Sequence, residues 1–125
     1  EACLERGVFA PAVEAHICCA GFLARHRHMP SLEQVHREVE RLIAKVHAAL
    51  EERLRSPDVP VLDASGAGRL LLRLGAEPPA VLRWFLEGRT AVLERHLSSH
   101  FASIAAEVGD EAAAATEASP GAWLE

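Results

Sequence analysis

Tyrosine is absent from this chain, aromatic residues make up 5% of it, and strand-favouring threonine is scarce, so a β-rich fold has little to build with. Positive charge is not in excess either. Lys and Arg number 13 against 18 Asp and Glu, giving a net charge of −5 with neutral His and a pI near 5.8. Nucleic-acid binding usually needs a basic face with a pI well above 9, and that class is excluded. No apolar run approaches the ~18 residues of a membrane span, and no charged-apolar-small leader opens the chain. The first residue is Glu1 rather than Met, and CLERG reads as the tail of a helix whose start is missing, so the chain reads as a piece of a longer protein. Three cysteines, two of them adjacent, make a poor disulfide framework, and a reducing cytosolic setting is expected. There is no Gly-x-Ser-x-Gly and no Cys-x-x-Cys, and the carboxylates lie in mixed charge faces rather than apolar pockets. An enzyme is not expected, and no cofactor or metal is implied.

What remains is helix-forming. Half of the 125 residues are apolar and a quarter charged, with Ala, Leu, Glu and Arg dominant. That length suits one domain of ordinary size. The chain is organised around Gly68 to Phe101. Leu70, Leu71, Leu72 and Leu74 crowd a short helix, Gly75 stops it, and Pro78-Pro79 restart the chain. Val81, Leu82, Phe85, Leu86, Leu93, Leu97, Phe101 and Ile104 then recur at helical spacing along a long amphipathic helix folded back beside the first. On that stripe, Phe85→Ala or Leu86→Ala is expected to cost ~2–5 kcal/mol.

Upstream, Glu1 to Arg6 end one helix, with Gly7 where a left-handed residue is wanted. Pro11 suits the first turn of a second helix running to about His26. Its Phe9, Val13, Ile17, Cys18, Cys19, Phe22 and Leu23 predict burial on most sides. Met29-Pro30 breaks it. Ser31 is expected to cap a third helix, with Gln34 completing a capping box. The stripe of that helix is Leu32, Val35, Val39, Leu42, Ile43, Val46, Leu50 and Leu54, and Ser31 to Arg55 spans roughly 37 Å. A lone helix of this kind is not stable, so it is expected to pack on the second and fifth helices. Ser56 to Pro60 is a loop, Asp63 or Ser65 caps the short fourth helix, and the fifth begins at Pro78 or Pro79. After Gly109 the Ala-rich, acidic stretch broken by Pro120-Gly121 reads as a frayed helix end and linker, with Trp123-Leu124 opening a further element.

Four groups of residues invite a chemical reading. Cys18 and Cys19 with His16 suggest metal or redox chemistry, but adjacent helical residues point about 100° apart and leave no tetrahedral cage. They read as core packing, free cysteine being a small hydrophobe when buried. His96 and His100, four apart, share a helix face, yet no Glu stands between them at metalloprotease spacing and no third ligand is evident. They read as polar-face histidines. Arg25, His26, Arg27 and His28 make a small basic turn, short of the 4–8 basic residues of lipid-binding patches, and read as a solvated helix end. Gly66 and Gly68 lack the Lys and the preceding strand of a phosphate loop, and read as a loose helix start.

Three pieces carry a resemblance: the break RHRHMPSLEQV (Arg25 to Val35), the amphipathic helix after it, and RLLLRLGAEPPAVLRWFLEGRTAVLERHL (Arg69 to Leu97). In order and spacing they resemble the segment after the N-terminal coiled coil in the vacuolar protein sorting-associated protein fifty-one family. That family supplies a subunit of the Golgi-associated retrograde protein (GARP) tethering complex and of its endosomal relative. The resemblance covers roughly Glu1 to Val108. Met29 stands where the family usually has Leu, Trp84 precedes Phe85-Leu86, and the cysteine pair is unusual. Subunits of the exocyst and the conserved oligomeric Golgi complex carry a similar hairpin.

The resemblance implies a non-catalytic segment of a vesicle-tethering subunit in endosome-to-trans-Golgi retrograde transport, cytoplasmic and peripheral to those membranes. Its implied partners are the other subunits of the complex. A SNARE is implied through upstream residues not in this chain, the membrane only indirectly, and no functional residue is carried over. The expected architecture is all-α, about five helices in antiparallel succession. Residues 1–108 are a helical-bundle segment of a longer rod, and 109–125 a linker with the start of a next element. The rivals are an exocyst or oligomeric Golgi subunit, a helical scaffold or adaptor (though no repeat near 34 residues is found), and a regulatory helical domain of an enzyme.

Overall fold

The computed structural model describes residues 1–118, and side-chain burial as far as residue 116. The expected Pro120-Gly121 break and the element at Trp123-Leu124 lie outside the described residues. Five helices follow one another, and no strand occurs among the described residues: α1 Ala2–Arg6, α2 Ala10–Arg25, α3 Pro30–Arg55, α4 Val61–Arg73 and α5 Pro78–Ala118. The fold is all-α, a helical bundle. The chain divides into two units, Glu1–Arg89 and the part from Thr90 onward, so α5 contributes its first turns to one and its remainder to the other.

Glycine and proline set the helix ends, with one recurring substitution of backbone geometry for side-chain caps. Gly7 closes α1 at φ 70° and Gly75 follows α4 at φ 89°. Each carries the paired bonds of a Schellman turn. Gly75 N–H donates to Leu72 O at 3.1 Å and Ala76 N–H to Leu71 O at 3.0 Å, satisfying carbonyls that the helix leaves open. Pro11 lies in the first turn of α2 and Pro30 in that of α3.

The expected side-chain caps are not used. Met29 precedes α3 in an extended conformation (φ −84°, ψ 118°), as a residue before proline should, and Ser31 is already helical. No side-chain cap bond forms there, so the Ser31–Gln34 capping box is overturned. α4 begins at Val61 behind Pro60, whose carbonyl accepts from Ala64 N–H at 2.9 Å, so neither Asp63 nor Ser65 is its cap. Asp63 instead sits in the first turn, where the helix dipole favours a carboxylate.

Phe9, Val13, Val46, Leu50, Leu54, Ala64, Ala67, Leu71 and Val81 form one core cluster. The third helix packs on α2 and, at its C-terminal end, on the first turns of α5, as the stripe suggested, and α4 is a close neighbour that the stripe did not suggest. The reason is size. α4 turns Ala64, Ala67 and Gly68 inward, all buried, so its backbone comes close enough for Leu50 and Leu54 to reach full burial. α5 adds Val81 to the cluster, with Trp84 and Phe85 half-buried against it.

Elsewhere the long stripes stand open. Val35 of α3 and Leu82 and Leu86 of α5 are exposed. Of α2 only Val13 and Leu23 are buried, while Ile17, Cys18, Cys19 and Phe22 are exposed, so the expectations of an all-round buried helix and of core cysteines are both overturned. α2 is covered from the side of α3 and α4, and both cysteines stay exposed, Cys19 on the rim of an open groove between α1, α2 and α3.

Leu86→Ala is therefore expected to change stability by less than about 1 kcal/mol, as surface substitutions do. Phe85→Ala, half-buried on the cluster, should cost about 2 kcal/mol. Equal losses in urea titrations of the two variants would contradict this ordering. α5 also continues as helix through Gly109 to Ala118, past the point where the fraying was expected.

Candidate interaction surface

The most constrained place in Glu1–Arg89 is where α5 crosses the C-terminal end of α3. Gly88 is buried, and a Cβ built on it falls on the Leu54 carbonyl oxygen, with the Arg55 carbonyl carbon at 3.3 Å. Contact this close between a helix and another backbone requires glycine. Next to it, Arg89 donates from one guanidinium nitrogen to the carbonyls of Val59 (2.8 Å) and Ser56 (3.3 Å). That side chain ties the α3–α4 loop to α5. Arg55 completes the junction: it pairs with Glu51 at 2.9 Å and Glu87 at 3.1 Å, and its guanidinium lies 5.5 Å from the Trp84 ring centre.

Arg89→Ala is expected to cost about 1.5 kcal/mol, the scale of hydrogen bonds to a charged donor. An unchanged melting midpoint would show that the loop holds without it. Neither Gly88 nor Arg89 was singled out from sequence, although a glycine inside a helical pattern is itself a signal of close approach.

The other end of the unit is tied similarly. Arg53 lies 5.0 Å from the Phe9 ring centre and donates to Gly7 O at 3.4 Å, and Arg73 of α4 pairs with Glu14 of α2. Two further ion pairs of α3, Glu33–Arg37 at 2.6 Å and Glu38–Arg41, are exposed. Arg41, hydrogen-bonded to Glu38, holds that carboxyl below its ordinary value on an exposed face. Such surface pairs contribute little.

The residues flagged for chemistry are dispersed. His16 and Cys19 line one open apolar groove between α1, α2 and α3, of about 280 Å³, together with Cys3; Cys18 does not line it. Among the described residues no three His, Cys, Asp or Glu side chains gather to hold a metal ion. His96 and His100 are exposed and line a shallow groove on α5 with Leu93, Leu97, Ser99 and Ser103. Arg25 and His26 serve the end of their own helix: Arg25 donates to Gly21 O at 3.3 Å, and the His26 ring stacks on Phe22 and bonds to its carbonyl at 3.0 Å. Gly66 and Gly68 lie inside α4, and Gly68 is buried with its open side 3.5 Å from Val81 Cγ1 and 3.7 Å from Leu54 Cδ2. No phosphate loop exists there.

Surfaces rather than pockets are what this chain offers. A second open groove of about 280 Å³, between α4 and α5, is lined mainly by Leu54, Leu72, Val81, Leu82 and Phe85. Beyond Arg89, Leu93, Leu97, Phe101, Ile104 and Val108 are all exposed. Among the described residues no helix is long and apolar enough to cross a membrane. Apolar faces of this kind suit helix–helix contact, which needs area and shape but no ionisable group held at an unusual pKa.

No protein-family profile matches the chain. No solved structure matches it either. It is 29% identical over 96 residues to the vacuolar protein sorting-associated protein 51 homolog of Xenopus tropicalis. The aligned part is 77% of this chain and 13% of the relative, so the chain spans only a small part of the relative's length. The match bears out the resemblance read from the Met29-Pro30 break and the Leu-Gly hairpin: over most of its length, this chain is similar to the vacuolar protein sorting-associated protein 51 family.

Proposed function

We propose that this chain is a helical segment of a vesicle-tethering complex subunit that acts, without catalysis, in endosome-to-trans-Golgi retrograde transport. The observation that carries the reading is the match to the protein sorting homolog over 77% of the chain. The helical architecture and its open apolar faces support it, because a tethering subunit works by contact. In this reading the partners are the other subunits of the complex. A SNARE is engaged through residues outside this chain, and the protein is peripheral to trans-Golgi and endosomal membranes. Residues 1–108 form the bundle segment, and the connection after it starts as helix, since α5 runs to Ala118.

The test is affinity purification of the full-length protein from cells, with quantitative mass spectrometry of what accompanies it. Stoichiometric recovery of three other large helical subunits is the expected result, together with a SNARE at lower yield. Recovery of exocyst or oligomeric Golgi subunits instead would reassign the complex. Recovery of a catalytic partner and no tethering subunit would end the reading.

A further inference from the structure

From Thr90 onward, α5 carries five large apolar side chains that are all exposed: Leu93, Leu97, Phe101, Ile104 and Val108, with Phe101 at 64%. Their steps of four, four, three and four hold them within about 80° of the helix circumference, at 100° per residue. The stripe is about 22 Å long at 1.5 Å per residue. A contiguous apolar strip of that kind marks a contact site rather than ordinary surface.

The charge around it is one-sided. Glu94, Glu107 and Glu111 lie on or beside the stripe by the same helical count, and all three are exposed. His96 and His100 stand on one edge. Arg95 is the last Lys or Arg in the sequence, and it falls about 120° round the helix from the nearest stripe residue, Phe101. The rim therefore offers carboxylates and imidazoles, with no ammonium or guanidinium.

We propose that this face of α5 docks an amphipathic helix of another protein whose own apolar stripe is flanked by lysine and arginine. Straight, narrow and spaced by threes and fours, the stripe accepts a helix laid alongside it. A second copy of this chain is a poor occupant. Its rim brings no ammonium or guanidinium to meet Glu94, Glu107 and Glu111, on a molecule already carrying a net charge of −5. The leucines and Phe101 supply affinity, while the rim selects the partner and its orientation. The inference rests on this face alone and goes beyond the tethering reading, which can fail without it.

The experiment uses the 125-residue chain and two synthetic helical peptides with the same leucine stripe, one flanked by Lys and the other by Glu. Fluorescence anisotropy should show the Lys peptide binding at least tenfold tighter at low salt, with the gap narrowing as salt rises. Leu97→Glu combined with Phe101→Glu should abolish that binding and leave the circular dichroism spectrum unchanged, because both side chains are exposed. Four results would overturn the proposal: equal affinity for the two peptides, no binding of either, binding that survives in the double variant, or self-association of the chain that the double variant removes. Copurification of tethering subunits is read separately, so failure of one does not mimic failure of the other.

Discussion

Replacing Leu54 with alanine is expected to destabilise the Glu1–Arg89 unit by about 2–5 kcal/mol, the range for large-to-small changes at fully buried aliphatic positions. Leu54 is 0% exposed and sits where three helices meet. Its Cδ2 lies 3.7 Å from the open side of Gly68 in α4, and its carbonyl faces Gly88 of α5. Truncation would leave a cavity beneath two backbones that cannot both move inward, so little of the loss is recovered by relaxation. The consequence is large because the core is small. Domains of this size have ~5–15 kcal/mol in all. A single such change therefore shifts melting by roughly 4–8 °C for each kcal/mol lost. Urea denaturation followed by circular dichroism measures it directly; a loss under about 1 kcal/mol would mean that the junction is not packed as described.

For Gly88→Ala the sign of the effect is the test. In an exposed helix interior, exchanging glycine for alanine gains about 1 kcal/mol, since alanine loses less backbone entropy. At Gly88 the added methyl meets the Leu54 carbonyl oxygen, which is backbone and cannot rotate aside. Overpacking of that kind costs ~1–3 kcal/mol. Moving α5 outward to relieve it would also pull Arg89 from Val59 and Ser56. The expected net result is a loss of about 1–2 kcal/mol, and a larger one for Gly88→Val. Gly66→Ala is the matched control: it lies inside α4 with nothing within 4 Å of the added atom, and should gain close to the full propensity term. If both variants stabilise the protein, α5 does not touch the end of α3.

These two glycines show how far local pattern carries. Both look alike in the sequence, a small residue inside a helical run, and only the position of another helix separates them. The same holds for the large residues. Leu54 and Leu86 each sit on an apolar stripe with the correct spacing, yet one is completely buried and the other half-exposed. Periodicity states which face a helix prefers to hide, but not whether a neighbour arrives to hide it. The cysteines failed for that reason. Cys18 and Cys19 belong to an apolar helix, but α2 is covered on one side, and both are exposed. The caps failed differently: in Met29-Pro30 and Pro60-Val61 the proline geometry already directs the chain into the helix, so no hydroxyl or carboxylate was needed. Of the candidate surfaces, the stripe from Leu93 to Ile104 was legible as a stripe, and its exposure was not.

Residue order alone was enough for the helical class, for the breaks at Gly7, Met29-Pro30, Ser56–Pro60 and Gly75, and for the absence of a recognisable catalytic motif. Each of those depends on backbone preferences and side-chain chemistry acting within a few residues. Packing decided the rest: α4 as a close neighbour of α3 beside α2 and α5, the tight seat of Gly88, the bonds of Arg89 to a distant loop, and the stripes left exposed. Those outcomes depend on which surfaces meet across long stretches of chain, where the volume of Ala64, Ala67 and Gly68 governs how near two helices come. A one-dimensional pattern contains no distance of that kind.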